Sequence, residues 1–583
     1  MTKSDTYFPP ASRQITIGAL TLGGGNPLVL QTMANSNTLD LQACKEQFEK
    51  MQAAGAQMIR FTTPALRDVK SLEKLIEWSH EVYPAIPVVA DVHFNASVAF
   101  EAARICDKVR VNPGNFTGKR GLKTNYSESD YRAEGENIKQ QLSELLDICR
   151  SNHTALRIGV NHGSLSDRIM SRFGDTPEGM VESAMEFLRI CRDAGFFDVV
   201  VSLKSSNTML MVQSVRLLVK TMLQEDLYFP LHLGVTESGA GLEGRVRSVV
   251  GIAALLQEGF GDTIRISLTE PPEEEIPVAK MLGELFPRPA SLPYHPLDNL
   301  PWDPFHFNKP EVNEVFDSGR NLLPLVICGD GRHNEPLPDI LARRQNNAWV
   351  FRIGGTSEKL FQFTGDNPGN ELFLHCDTST HPGKVAALTS PHVIVLDGTT
   401  ASIARIKLWM ISYYKNSGKN PVILKRDYHE NQQEKYSIRA AGELGLLLID
   451  HLLGGIWLHN PNVSEAFTSW LSFDILQAAR NRFTSTEYIA CPSCGRTQFN
   501  IQSVLSNIKQ STSHLRGLKI AVMGCIVNGP VEMADADYGY VGAGRGLVSI
   551  YRGKKEILKK VPEEKAVTAL VEVIKENGDW VDP

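Results

Sequence analysis

Eight short runs rich in β-branched residues recur between residues 20 and 270, and an amphipathic stretch separates each from the next. The runs are PLVLQTM from 27, MIRFTT from 58, PVVADVHF from 87, KVRVNPGN from 108, ALRIGVNHGS from 155, VVVSLKSS from 199, LYFPLHLGVTE from 227 and TIRISLTE from 263. The intervening stretches include LQACKEQFEKMQAAG, VESAMEFLRICRDAG and VRSVVGIAALLQEG, and several close on Gly, which tolerates the left-handed backbone of a helix end. Strands alternating with helices imply a parallel sheet, because parallel neighbours need a long crossover. Eight such units in about 250 residues match a (β/α)8 barrel of the TIM type. A doubly wound sheet is the runner-up, but no Gly-rich nucleotide turn follows the first strand.

The ends of these runs carry charges that a buried strand does not need. Arg60, Asp91, His93, Arg110, Asn112, Arg157, Asn161, Ser202, Lys204, His232, Thr236, Glu237, Arg265 and Ser267 lie in the runs or at their C-terminal ends. A charge inside a Val/Ile/Leu strand is unfavourable unless it is paired or faces a ligand. In a barrel these ends converge on one mouth, where active sites are built. Four arginines and Lys204 against few carboxylates make that mouth basic, and bidentate arginines favour phosphate or diphosphate. Taken singly the residues are ambiguous. Lys204 is also a candidate Schiff-base lysine, Asp91 and His93 a satisfied buried pair or a pair of metal ligands, and any one arginine a paired core residue.

Near the C-terminus Cys491, Cys494 and Cys525 stand in CPSCGRTQ and MGCIVNGPVEMADADYGYVG, and no further Cys follows. Glu532 is the only residue of ligand type soon after Cys525 in its loop. Three thiolates and one exchangeable carboxylate would leave one metal of an iron–sulfur cluster chemically distinct. A Cys-x-x-Cys alone reads more often as a zinc ribbon or thiol redox pair, but Cys525 has no partner to complete a ribbon. His514 offers the fourth ligand of a Cys3His zinc site. The favoured reading is a cluster with incomplete cysteine ligation. The other six cysteines, Cys44, Cys106, Cys149, Cys191, Cys328 and Cys376, are scattered singly and read as core thiols in a reducing cytoplasm.

At 583 residues the chain exceeds one core. Residues 1–285 form the expected substrate-binding barrel. From 286 to 470 the texture changes: a Pro- and aromatic-rich opening gives way to strand-like runs LLPLVICGD, AWVFRIGG, LFLHCD, HVIVLDG, PVILKRD and LGLLLIDH. This reads as an inserted α/β domain, barrel-like and structural, with Asp330, Asp377, Asp397 and Asp427 at strand ends but no clustered cations. Residues 471–583 read as a compact α+β cluster domain. The net charge of −6 and the lack of a basic tract argue against a nucleic-acid partner. No apolar run approaches the ~18 residues of a membrane span. The N-terminus has no apolar or Arg-rich leader pattern, which leaves a cytoplasmic protein as the expectation.

CPSCGRTQFN with GCIVNGPVEMADADYGYVGAGRG resembles the cluster domain of the 4-hydroxy-3-methylbut-2-en-1-yl diphosphate synthase family of the methylerythritol phosphate route to isoprenoids. RVNPGN, RIGVNHGSL, VSLKSSN, LHLGVTESG and GFGDTIRISLTEPPEEE look like that family's barrel motifs. The resemblance covers 15–285 and 471–575, and the segment between looks like the extra domain of the family's large form. It implies reductive dehydroxylation and ring opening of 2-C-methyl-D-erythritol 2,4-cyclodiphosphate, with a 4Fe-4S cluster on Cys491, Cys494, Cys525 and Glu532. Glu532 would sit on the iron open to substrate, with Asn528 beside it in the Val-Asn-Gly-Pro turn. Arg60, Arg110, Arg157, Lys204 and Ser267 would hold the diphosphate, aided by Asn161 and His93, and Glu237 would be the proton donor. Val531 departs from the family, whose turn usually has Gly there.

The absence of any flavin or nicotinamide motif implies a reduced ferredoxin or flavodoxin as electron donor, with the basic stretch 552–560 a dock for an acidic partner or a solvated face. Short members of the family are capped by the other subunit of a homodimer, and the insertion leaves capping in cis or in trans as the alternatives. Two rivals stand beside this reading. One is a barrel aldolase or pterin-type synthase using Lys204 with a zinc staple. The other is a non-catalytic iron–sulfur scaffold or redox adaptor, which has no use for a cationic mouth.

Overall fold

A computed structural model of the chain describes residues 11–93, 95–116, 126–287, 300–306, 310–313, 315, 324–346, 348–353, 356–365, 368–525, 529, 533 and 535–582. The chain divides into two compact units. One comprises Pro9–Ser248, Phe260–Glu284 and Ser485–Pro583, and the other includes Val249–Gly259 and Leu285–Thr484.

The first unit opens on an antiparallel pair, β1 (Ile15–Ile17) and β2 (Leu20–Leu22). Eight parallel strands follow: β3 (Val29–Met33), β4 (Met58–Thr62), β5 (Val88–Asp91), β6 (Lys108–Val111), β7 (Ala155–Asn161), β8 (Val199–Lys204), β9 (His232–Leu233) and β10 (Thr263–Ile264). Their order is β8-β7-β6-β5-β4-β3-β10-β9, and a parallel bridge from Val201 to Leu231 joins the two ends into a barrel. All eight runs read from the sequence are strands here, and the TIM-type barrel is the fold. The β1–β2 pair was not foreseen. Its Ile15, Ile17 and Leu22 are buried with Val29, Met58, Val89, Ala155 and Val200, early residues of their strands, so it plugs the N-terminal end of the barrel. Helices begin where the sequence supplies caps: Asp40 accepts from the Ala43 N–H, Asn207 from Leu210, and Ser127 forms a capping box with Asp130.

The closing seam of the barrel depends on Asp262. Its carboxylate accepts from the Ser12 hydroxyl at 2.7 Å and the Leu231 N–H at 2.8 Å, while its carbonyl takes the Val29 N–H at 3.0 Å. One residue thus joins the N-terminal segment, β9 and β3.

In the same unit a five-stranded sheet is built from β19 (Glu487–Ala490), β20 (Lys519–Met523), β21 (Tyr538–Gly544), β22 (Leu547–Arg552) and β23 (Lys555–Pro562), in that order. The first three are parallel and the last two antiparallel. The amphipathic helices Ile501–Thr512 and Glu563–Glu576 bury Val504, Leu505, Ile508, Leu570 and Ile574 in its core.

The second unit is a closed barrel of eight strands: β11 (Leu325–Gly329), β12 (Ile340–Gln345), β13 (Ala348–Ile353), β14 (Thr356–Gln362), β15 (Phe373–Asp377), β16 (Val393–Asp397), β17 (Val422–Asp427) and β18 (Gly455–His459). All neighbours are parallel except around β13, which is antiparallel to both of its own. Phe351, Phe373 and Trp457 meet edge to face in its core, with centroids 4.6 and 5.2 Å apart. Two readings of the sequence need correction. LGLLLIDH is not a strand but the end of the helix Gln433–Ile449, and the strand is GIWLH at β18. The helix is buried along its length, so its apolar run carries no period to separate it from a strand. β12 and β14 gave no strand signal because most of their exposed residues are polar and no apolar run marks them. At the strand ends Lys425 Nζ lies 3.0 Å from Asp397 and 2.9 Å from Asp427, an internally neutralised set.

Among the described residues no helix is long and apolar enough to cross a membrane. Asp262→Ala strips an acceptor from two buried donors and is expected to lower the stability of the first unit by about 2–3 kcal/mol. Urea unfolding followed by hydrogen exchange at β3 and β9 checks this, and an unchanged midpoint would refute the seam role.

Candidate active site at the barrel mouth

The C-terminal strand ends of the first barrel and one edge of the C-terminal domain line a single cavity. Met33, Arg60, Asp91, His93, Arg110, Arg157, Asn161, Lys204, Thr236, Glu237, Arg265 and Ser267 come from the barrel; Pro492, Cys494 and Arg496 come from the loop after β19. Every barrel residue assigned to the site from sequence is therefore in one place. The contact is within one chain. Arg247 donates to the Tyr488 carbonyl at 2.7 Å, its guanidinium lies 3.8 Å from Glu487, and a parallel bridge joins Ser238 to Ala490.

Charge is unevenly distributed here. Arg110 is held from three sides: it donates to Asp91 at 3.0 Å, to the Gly159 carbonyl at 3.0 Å, and to His93 Nδ1 at 2.8 Å, which leaves the imidazole proton on Nε2. Gly159 is required, since a Cβ there would fall 2.7 Å from Arg110 Nε. Arg265 is clamped by Glu275 through Nε at 3.2 Å and Nη2 at 3.1 Å. Glu275 comes from the PPEEE motif and also accepts from the Leu268 N–H and Thr32. Arg60 faces the Met33 thioether rather than an anion, at 2.6 Å. Arg157 is 2% exposed, and its Nε and Nη1 have no hydrogen-bond partner among the described residues.

The pKa shifts record the same imbalance. Burial, then the charges of Arg157, Arg60, Arg265 and Arg110, push the Lys204 ammonium well below its usual range. Burial and the neighbouring Arg265, Arg110 and Arg496 outweigh Asp91 and lower Arg60 to about 10. Arg157 is depressed by burial and by Arg60 and Arg110. Asp91 moves the other way: burial opposes its charge, but Arg60, Arg110, Arg496 and His93 hold it well below the carboxylate range. Buried like charges and unpartnered guanidinium donors are unfavourable by themselves, and a polyanion would relieve both. One layer deeper, Lys108 donates to Gln31 at 3.0 Å and meets the Met58 sulfur at 2.7 Å.

Glu237 follows β9, is 4% exposed, and has a backbone φ of +48°, a left-handed value that a non-glycine residue adopts only under tertiary constraint. It lines the cavity together with Cys494, and its charge, with those of Cys494 and Cys525, is felt at Cys491. Cys491 and Cys525 are buried, Cys494 is half-buried, and the Gly524 N–H donates to Cys491 Sγ at 3.2 Å. Burial raises the Cys491 thiol well above its usual range, so a metal bound there would have to displace its proton.

Among the described residues no three Cys, His, Asp or Glu side chains are gathered closely enough to hold one metal ion. Three neighbouring thiols with a backbone N–H on one sulfur fit a polynuclear cluster, whose thiolates each take a different iron, better than one tetrahedral zinc. His514 is no fourth ligand here; its Nε2 donates to the Val581 carbonyl at 2.8 Å and its ring lies edge-on to Trp580. Asn528, Val531 and Glu532 lie outside the described residues.

Sequence reasoning missed Arg496. It is half-buried between Asp91 at 4.0 Å and the thiols, and Cys494, Asp91 and Cys525 sustain its charge against desolvation. The signal was present: it is the second residue after Cys494 in CPSCGR. Asn112 proves structural, donating to Ser164 and accepting from the Gly114 N–H.

Comparison with known proteins agrees. Residues 12–280 match the GcpE TIM-barrel domain and residues 487–576 the GcpE protein C-terminal domain. A 4-hydroxy-3-methylbut-2-en-1-yl diphosphate synthase (flavodoxin) of Bacteroides fragilis is 44% identical over 98% of this chain and 97% of its own. Proteins of the same description are 43% identical in Phocaeicola vulgatus, over 99% of both chains, and 37% identical in Leptospira interrogans, over 99% of this chain and 98% of its own.

Burial and neighbouring cations lower the Lys204 ammonium, and a polyanion in the mouth would favour its charged form, so binding is expected to draw protons onto it. Calorimetry with inorganic pyrophosphate near neutral pH, in buffers of different ionisation enthalpy, is expected to show net uptake that shrinks in Lys204→Met. Equal uptake in both proteins would remove Lys204 from the linkage.

Proposed function

The chain belongs to the GcpE family of oxidoreductases, and on that premise we propose that it converts 2-C-methyl-D-erythritol 2,4-cyclodiphosphate into 4-hydroxy-3-methylbut-2-enyl diphosphate. Two electrons and two protons enter, the ring C–O bond to phosphate and a C–OH bond break, and one water leaves. The observation that carries this reading is the shared cavity, in which six cationic side chains face Cys494 and Glu237. A diphosphate site alone has no source of electrons, and a thiol-ligated cluster alone has no phosphate pocket.

Arg60, Arg110, Arg157, Lys204 and Ser267 hold the diphosphate, with Asn161 and His93 completing the cradle. Arg110 is pre-oriented by Asp91, and Arg265 by Glu275, so neither has to reorganise on binding. Pro492, Cys494 and Arg496 cover the mouth and exclude water, which strengthens each of these charge contacts. Glu237, constrained beside the thiols, delivers the proton that lets the hydroxyl depart as water.

Cys491, Cys494 and Cys525 would hold a 4Fe-4S cluster, with Glu532 as the fourth ligand and Asn528 as a substrate contact implied by the family motif. Bound there, the cluster supplies electrons singly and a Lewis-acidic iron. The donor is a one-electron carrier of the flavodoxin type, which the relatives' names specify for them.

The test is anaerobic reconstitution with iron and sulfide, followed by assay of the cyclodiphosphate with a reduced one-electron dye. Product is expected from the native protein, none from Cys525→Ser, and sharply less from Glu532→Ala. Glu237→Gln is expected to lower kcat about a hundredfold with little change in KM. A brown protein that forms no product would overturn the proposal, and full activity in Glu237→Gln would remove that residue from the proton step.

A further inference from the structure

Cys491 and Cys525 are buried, so electrons from a protein donor need a route to the thiols. A chain of three hydrogen bonds supplies one. In the hairpin turn between β21 and β22, the Gly544 N–H donates to Gln498 Oε1 at 2.7 Å. The Gln498 N–H donates to the Gly524 carbonyl at 3.0 Å, and the Gly524 N–H donates to Cys491 Sγ at 3.2 Å. Gln498 is exposed, as are Arg545 and Gly546 in the turn, so this route runs from the surface to a cluster ligand within a few residues. Two glycines make it this short. A Cβ on Gly542 would fall 2.6 Å from the Gly524 carbonyl, and Gly544 has φ +146°, a backbone that other residues rarely adopt. Electronic coupling falls off less steeply through bonds and hydrogen bonds than through space, so this turn is a natural point of entry.

Two exposed cations lie in or beside the turn. Arg545 is in it, and exposed Lys560 lies on β23 just before the pair Val561–Val548, beside the turn. Lys560 occupies a β-bulge with φ +50°, and Leu558 and Ile557 nearby are 36% and 38% exposed. Lys559 is paired with Glu556 at 3.3 Å and contributes less. Lysines and a bulge on an edge strand also discourage edge-to-edge pairing. That role accounts for Lys560 but not for Arg545 or for the hydrogen-bonded route beneath it. Glu563 and Glu564 begin the next helix and are the opposing charges.

We propose that the turn at residues 544–546, with Arg545 and Lys560 as its basic rim, is the docking site of a small acidic one-electron carrier protein, and that electrons enter through Gln498 and Gly524 to Cys491. The inference rests on the reading that the thiols hold a cluster. Exposed apolar Leu558 and Ile557 provide the contact that a transient electron-transfer complex needs beside its charge pairs.

The experiment uses the full chain, reconstituted anaerobically, with the double variant Arg545→Glu/Lys560→Glu. Cluster reduction is followed by stopped-flow absorbance, without substrate, using reduced flavodoxin in one arm and reduced methyl viologen in the other. The variant is expected to slow reduction by flavodoxin roughly tenfold or more at low ionic strength and to flatten its salt dependence. Reduction by the dye should stay within about twofold. Wild-type rates with flavodoxin would overturn the docking site, and equal slowing with both donors would show that the substitutions disturb the cluster instead. If the native protein accepts electrons from flavodoxin but does not convert the cyclodiphosphate, the proposed reaction fails while the docking site is still judged by the absorbance change.

Discussion

Repulsion among buried cations is the force around which the first barrel is arranged. Six positive side chains and two carboxylates, Asp91 and Glu237, line one cavity. Desolvation and mutual repulsion depress Lys204, Arg157 and Arg60 together. Such a set persists only because the rest of the barrel is well ordered: the hairpin seals the opposite end, Asp262 ties the seam, and Glu275 and Asp91 each fix one guanidinium. Repulsion stored in this way favours an anionic ligand over a neutral one of the same shape.

The C-terminal domain adds what the barrel lacks. It reaches the mouth through β19, whose residues Glu487 and Tyr488 are held by Arg247, and it carries thiols and Arg496 to the rim. Arg496 belongs to both partners, with Asp91 on one side and Cys494 on the other. Any change of charge at the thiols is therefore felt at Asp91 and so at Arg110. Glu237, with its constrained backbone, lines the same cavity.

Most of the first barrel was legible in the sequence, because ionic residues at the C-terminal ends of β-branched runs are tolerated where strand ends converge on a ligand. Arg60, Arg110, Arg157, Lys204 and Glu237 could be gathered at one mouth without coordinates. Arg496 could not, since its meaning depends on a domain about 400 residues away in sequence folding back over Asp91. Nor could the second barrel's β12 and β14, whose exposed polar residues give no apolar run, or LGLLLIDH, whose burial on every side erases the period that marks a helix. The β1–β2 pair is too short to stand out, and only its packing under the strands gives it a role.

The chain contains the barrel architecture twice, and the two copies treat their buried lysines in opposite ways. Lys204 is surrounded by other cations, while Lys425 lies between Asp397 and Asp427 and stacks its charge over Trp457 at 5.5 Å. An anion approaching Lys425 would have to displace two carboxylates before making its first contact, and would meet their repulsion while doing so. The second mouth is in that sense already occupied by its own side chains. What separates the two mouths is a pair of aspartates at the ends of adjacent strands, a difference of charge placement rather than of fold.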